Sequence, residues 1–176
     1  PPGRLLESNP DALGFGAFSC NYPLAIELAK KVKKINPHTE IIFGGPHTGM
    51  IPEQVLAENP GVIDTTVRKE GEQGLVDFIN GRRGLIQTLP LPIEQLPRAD
   101  RLEYLLDNPN FQFQGDESCR AAIIVTSRGC SRTCDFCVDR LTGYRAKPIE
   151  KVIDEMKYLV NDLKVETIIV EDPLFN

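Results

Sequence analysis

Short apolar runs alternate with amphipathic stretches from residue 11 to residue 79. Residues 11–18 (Asp-Ala-Leu-Gly-Phe-Gly-Ala-Phe) read as a short buried strand. Residues 23–35 follow with helical periodicity: Ala25, Leu28, Ala29 and Val32 fall at i, i+3, i+4 and i+7 and share one face. Pro23 suits the first turn of that helix, and Lys30, Lys31, Lys33 and Lys34 complement the negative end of its dipole. Residues 40–43 (Glu-Ile-Ile-Phe) are the next strand, closed by Gly44 and Gly45. A short helix over 52–59, a strand over 62–68 and a helix over 72–79 complete the series. The β-α-β-α-β-α order predicts a parallel sheet with helices on its faces.

Residues 81–117 lose this periodicity and contain Pro90, Pro92, Pro97 and Pro109. They read as a semi-rigid linker with one short helix around 102–106. Regular patterning resumes with an apolar strand over 121–127 and a loop running to Ala146. Pro148 then starts a helix. Its stripe is Ile149, Val152, Ile153, Met156, Leu159, Val160 and Leu163, and a strand over 166–170 follows. The domain reading is therefore 1–80, a linker over 81–117, and 118–176.

Composition narrows the class. The 176 residues are 41% hydrophobic and 26% charged, as in ordinary soluble proteins. No apolar stretch approaches the roughly 20 residues that cross a bilayer. A net charge of −5 and a pI near 5.1 argue against a general nucleic-acid surface. The chain begins Pro-Pro-Gly-Arg and ends straight after a strand, so both ends read as cut and an internal segment of a longer protein is expected.

The chemistry is concentrated at Cys130, Cys134 and Cys137, spaced C-x3-C-x2-C. Tetrahedral zinc wants four ligands, and no fourth is nearby; a zinc knuckle would need a distant one such as Cys119, His38 or His47. A disulfide framework suits short secreted chains with an even cysteine count, whereas this chain has five. Three thiolates on a four-iron cube leave one iron open to a non-protein ligand. The spacing, with Phe136 just before the last cysteine and the apolar run 121–127 leading in, resembles the signature of the radical S-adenosylmethionine (radical SAM) family. The resemblance implies a [4Fe–4S] cluster whose open iron binds the amino and carboxylate groups of S-adenosylmethionine. It also implies reductive cleavage to methionine and a 5′-deoxyadenosyl radical. A reductant such as flavodoxin or ferredoxin and a reducing, cytoplasmic compartment are expected with it.

Three further runs, 9–16, 41–47 and 68–72, resemble the cobalamin (B12)-binding domain of the B12-dependent radical SAM subfamily. This implies a Rossmann-like doubly wound parallel sheet followed by the start of a partial (β/α) radical SAM barrel. Ligands of such sheets lie across the carboxyl ends of the strands. By the resemblance the cobalamin tail passes near Ser19, Gly44 and Gly45, where two adjacent glycines let a flat heterocycle approach the backbone. The Asp-x-His-x-x-Gly run of cobalamin domains does not occur in this sequence. His47 is expected to make a loop hydrogen bond and His38 to be solvated.

By position in the second strand, Glu171 and Asp172 are expected to meet the S-adenosylmethionine amino group, with capping before Pro173 as the alternative for the pair. Arg128, Arg132 and Arg140 flank the cysteine loop, and Cys20 and Cys119 read as plain thiols. No catalytic side chain stands out. The resemblance implies methyl transfer or related radical chemistry on a substrate the sequence does not identify. Two other readings stay open: a radical SAM protein whose Rossmann domain no longer binds cobalamin, and a non-catalytic iron–sulfur or zinc module.

Overall fold

The computed structural model describes residues 9–99, 112–113 and 116–175. The chain divides into two compact units between Leu91 and Pro92. The short helix expected over 102–106 lies outside the described residues.

The first unit is a four-stranded parallel sheet in the order β1 (Ala12–Gly16), β2 (Glu40–Gly44), β3 (Thr65–Arg68), β4 (Gly84–Gln87). Helices α1 (Tyr22–Ile35) and α3 (Pro52–Glu58) cover one face, and α4 (Glu72–Ile79) covers the other. The run Ile41-Ile42-Phe43 explains this two-sided burial. Ile41 and Phe43 point to the α1 side and pack with Ala29, Val32 and Val55. Ile42 points the opposite way, into a cluster with Val67, Phe78 and Ile86. A central parallel strand is buried on both faces, so its sequence is apolar throughout instead of alternating. Phe15 lies opposite Phe43 in register, and the rings stack at 4.9 Å.

Two features differ from the sequence reading. First, β4 lies inside the stretch expected to be linker. Gly84-Leu-Ile-Gln is too short for a periodic signal, yet it pairs with β3 along its length and Ile86 is fully buried. Ile86→Ala is expected to cost about 2–5 kcal/mol in urea unfolding, whereas a true linker position would change stability by under about 0.5 kcal/mol. Second, Gly45 does not end in a simple loop but opens a one-and-a-half-turn helix, α2 (Gly45–Met50). Gly45 has φ +87°, and a Cβ there would sit 2.7 Å from the Ala17 amide nitrogen, so only glycine fits. Pro46 then supplies helical φ in the first turn.

The second unit is a β-loop-α-β arrangement. Strand β6 (Asp116–Ile124) pairs in parallel with β9 (Thr167–Val170) and antiparallel with β5 (Gln112–Phe113). Helix α5 (Ile149–Asn161) lays Val152, Met156 and Leu159 over Ala122 and Ile124, closed by Leu163 and Val165. One edge of the predicted stripe, Ile149, Ile153 and Val160, stays exposed. Among the described residues the second unit has one parallel strand pair, and no barrel is formed by it. Among the described residues no helix is long and apolar enough to cross a membrane.

Candidate functional site

The β1 and β2 sequences place glycines on one face of the first sheet. Side chains alternate along a strand, so Gly14 and Gly16 project opposite to Leu13 and Phe15, and Gly44 shares the face of Ile42. The result is a groove of about 420 Å³ over the carboxyl ends of the strands, lined by Gly14, Phe15, Gly16, Ile42, Gly44 and Val67 together with the start of α4. That size lies within the range of small-molecule sites. A Cβ added at Gly16, Gly44 or Gly71 would meet nothing within 4 Å, so it would enter open space. The floor is therefore bare backbone, and Leu75 forms an apolar wall. Gly14 and Gly16 were not singled out from the sequence; their Gly-x-Gly spacing, which puts two missing side chains on one face, is the signal that would have found them.

The residues expected to face cobalamin separate here. Gly44 lines the groove, whereas Ser19 and Gly45 are not among its lining residues. The Ser19 hydroxyl lies 3.0 Å from Nδ1 of His47, whose ring packs against Tyr22 with centroids 4.3 Å apart. The His47 amide donates to the carbonyl of Ala17. His47 thus holds the strand-end loops together.

The cysteine loop belongs to the second unit. It leaves the sheet after β6 and is pinched at its base by a two-residue antiparallel pair, β7 (Ser127–Arg128) with β8 (Arg145–Ala146). Gly129 crosses Gly143 so closely that a Cβ would sit 2.0 Å from the Gly143 oxygen, and its φ is +73°. Gly129→Ala is expected to destabilise this unit by on the order of 3 kcal/mol and to lower cluster uptake, checked by thermal unfolding and iron analysis. Within the loop, Sγ of Cys130 accepts from the Arg132 amide at 3.3 Å, and the Cys137 amide donates to the Cys134 carbonyl at 3.1 Å. Cys130, Cys134 and Cys137 are free thiols; Cys134 is exposed and Phe136 is 93% exposed. Among the described residues no three His, Cys, Asp or Glu side chains converge as on a metal ion. The loop supplies a three-thiol donor set on one short segment, and that set suits a three-cysteine cluster better than four-ligand zinc.

Asp172 follows β9 and reaches back to the end of β6. Its carboxylate accepts from the amides of Thr126 (2.7 Å) and Ser127 (3.1 Å), from the Ser127 hydroxyl (3.0 Å) and from the Thr126 hydroxyl. Burial alone would raise its pKa, but these four donors outweigh that and hold it below the usual value. A group with a depressed folded pKa adds stability above the ordinary carboxylate range, and the stability is lost as pH falls through the folded value. This clasp therefore stays closed at neutral pH. Glu171 is exposed, and its amide donates to the Ile124 carbonyl.

Comparison with known proteins places this arrangement. Residues 3–79 match the family described as the B12 binding domain. An uncharacterized methyltransferase, PH0819 of Pyrococcus horikoshii, is 30% identical over 95% of this chain and 40% of its own length. The cobalamin-dependent radical SAM methyltransferase TokK of Streptomyces tokunonensis is 26% identical over 73% of this chain and 22% of its own length. The chain is similar to the B12 binding domain over residues 3–79 and, over 73% of its length, to a cobalamin-dependent radical SAM methyltransferase. The structure of the cobalamin-dependent S-adenosylmethionine radical enzyme OxsB, with aqua-cobalamin and S-adenosylmethionine bound, aligns with 98% of this chain. Its TM-score is 0.70 at 23% identity, which is a likeness of fold, and the alignment covers 27% of OxsB. The chain thus spans two-fifths or less of the length of each of these relatives.

Proposed function

We propose that this chain carries the cobalamin-binding and cluster-binding segments of a cobalamin-dependent radical SAM enzyme. The observation that carries the reading is the glycine-floored groove at the strand ends, which lies within the segment matching the B12 binding domain. Cobalamin's nucleotide tail enters this groove over Gly16 and Gly44, with Leu75 as the apolar wall. Ser19 and Gly45 shape its rim through the His47 and Ala17 contacts. Cys130, Cys134 and Cys137 hold a [4Fe–4S] cluster. When bound, that cluster offers one open iron to S-adenosylmethionine and an electron for its reductive cleavage. Phe136, exposed between two of the ligands, shields the bound cofactor from water. Glu171, exposed at the end of β9, receives the S-adenosylmethionine ammonium.

The reaction proposed for the whole protein is methyl transfer or related radical chemistry, fed by a flavodoxin- or ferredoxin-type reductant in a reducing cytoplasm. The similarity to PH0819 and TokK, both named as methyltransferases, favours methyl transfer. Titration of the purified chain with hydroxocobalamin, followed by gel filtration, tests the first half of the proposal. Co-elution of one corrin per chain is expected. Elution of protein free of corrin would favour a Rossmann domain that docks substrate without cobalamin.

A further inference from the structure

The Asp172 carboxylate has about four acceptor positions, and all four are taken by Thr126 and Ser127. No position remains to meet an ammonium without giving up one of these bonds. The bonds are also well placed. The last ladder pair of the parallel strands is Ile124 with Val170, and Glu171 adds one backbone bond beyond it. Asp172 continues the junction where the backbone ladder has ended. Ser127, buried to 1% exposure, is then the first residue of the β7–β8 pair, and Gly129 and Cys130 follow directly. Lys147, just past that pair, donates its amide to the Thr126 carbonyl, so both arms of the loop base converge on Thr126.

We infer that Asp172 is a positioning residue of the cysteine loop: it fixes the point from which Cys130 is presented and does not itself contact S-adenosylmethionine. This rests on the reading that the three cysteines hold a cluster. The neck is held by the close pass of Gly129 on Gly143 and by the β7–β8 pairing, so a displacement of Ser127 is passed on to Cys130 three residues away. A carboxylate suits the task better than an amide, because its four bonds are charge-assisted, whereas an amide would keep the two backbone bonds through Oδ1 and only turn a neutral NH2 toward the hydroxyl oxygens.

The test compares wild type with Asp172→Ala, Asp172→Asn and Thr126→Val after anaerobic reconstitution. The readout is iron retained after desalting and the electron paramagnetic resonance spectrum of the reduced cluster, each without S-adenosylmethionine. All three variants are expected to retain several-fold less iron or to show a shifted spectrum, Thr126→Val least. A spectrum unchanged without S-adenosylmethionine, coupled to loss of the change that S-adenosylmethionine induces, would make Asp172 a cofactor contact and overturn the inference. Thr126→Val keeps the shape and the amide bond, so it remains informative where Asp172→Ala does not fold. Should wild type take up no iron, the cluster reading fails, and amide exchange still decides the clasp. Asp172→Asn should then speed exchange at least about tenfold at Ser127 and across the pair at Arg145. Unchanged exchange at Arg145 would contradict it.

Discussion

Alanine at Cys130, Cys134 or Cys137 is expected to abolish the brown chromophore of the anaerobically reconstituted protein, whereas alanine at Cys20 or Cys119 leaves it in place. The asymmetry follows from position. The three thiols share the loop that leaves β6, bounded by the Gly129–Gly143 crossing, whereas Cys20 is an exposed thiol in the first unit. On the proposed reading a cluster would itself draw the three thiols together, since among the described residues no three such donors converge. Losing one of three thiolate ligands leaves a second iron without a protein donor, and iron should fall to background, not by a fraction. Iron and sulfide analysis of the five single variants checks this. Equal loss in all five would remove the special standing of the loop.

Leucine at Gly16 or Gly44 is expected to abolish cobalamin retention and to leave cluster content unchanged. Each glycine has open space where its Cβ would be, so the new side chain fills the groove without displacing the strand. An affinity loss of at least 100-fold, about 2.7 kcal/mol, is expected, measured by spectrophotometric titration with hydroxocobalamin. Gly45→Leu is the wrong probe despite its place in the same glycine pair. Its side chain would drive into the Ala17 backbone and distort the strand end, so lost binding would report misfolding. Wild-type affinity in both Gly16→Leu and Gly44→Leu would place cobalamin elsewhere or nowhere on this unit.

Much of the fold was legible because the strong patterns are local. The apolar run at residues 41–43 marks a strand buried on both faces; of the expected helical face Ala25, Leu28, Ala29 and Val32, the structure buries Ala29 and Val32 and adds Ile26, which that face did not include. Strand β4 escaped because four residues carry too little periodicity; Ile86 is recognisable as core only once β3 is beside it. The helix at Gly45 escaped for a similar reason. Gly-Gly-Pro looks like a turn, and what makes it a helix start is the close pass of the Ala17 backbone, a contact between residues 28 apart.

The site was legible to different depths. The cysteine spacing is a one-dimensional signal and needs no fold to be noticed. The groove needs register: Gly14, Gly16 and Gly44 become one surface only through the pairing of Phe15 with Phe43 and Gly16 with Gly44. Asp172 shows the limit most clearly. An acidic pair after a strand invites a cationic ligand, and only the placement of Thr126 and Ser127 opposite it shows where the Asp172 carboxylate is used.

The central claim is that one chain carries two cofactors, a three-cysteine iron–sulfur cluster and a corrin. The most direct measurement is joint iron, sulfide, zinc and cobalt analysis of one anaerobically reconstituted, desalted sample of the wild-type chain supplied with hydroxocobalamin. About four irons, four sulfides and one cobalt per chain, with no zinc, are predicted. One zinc per chain with neither iron nor cobalt would contradict the account.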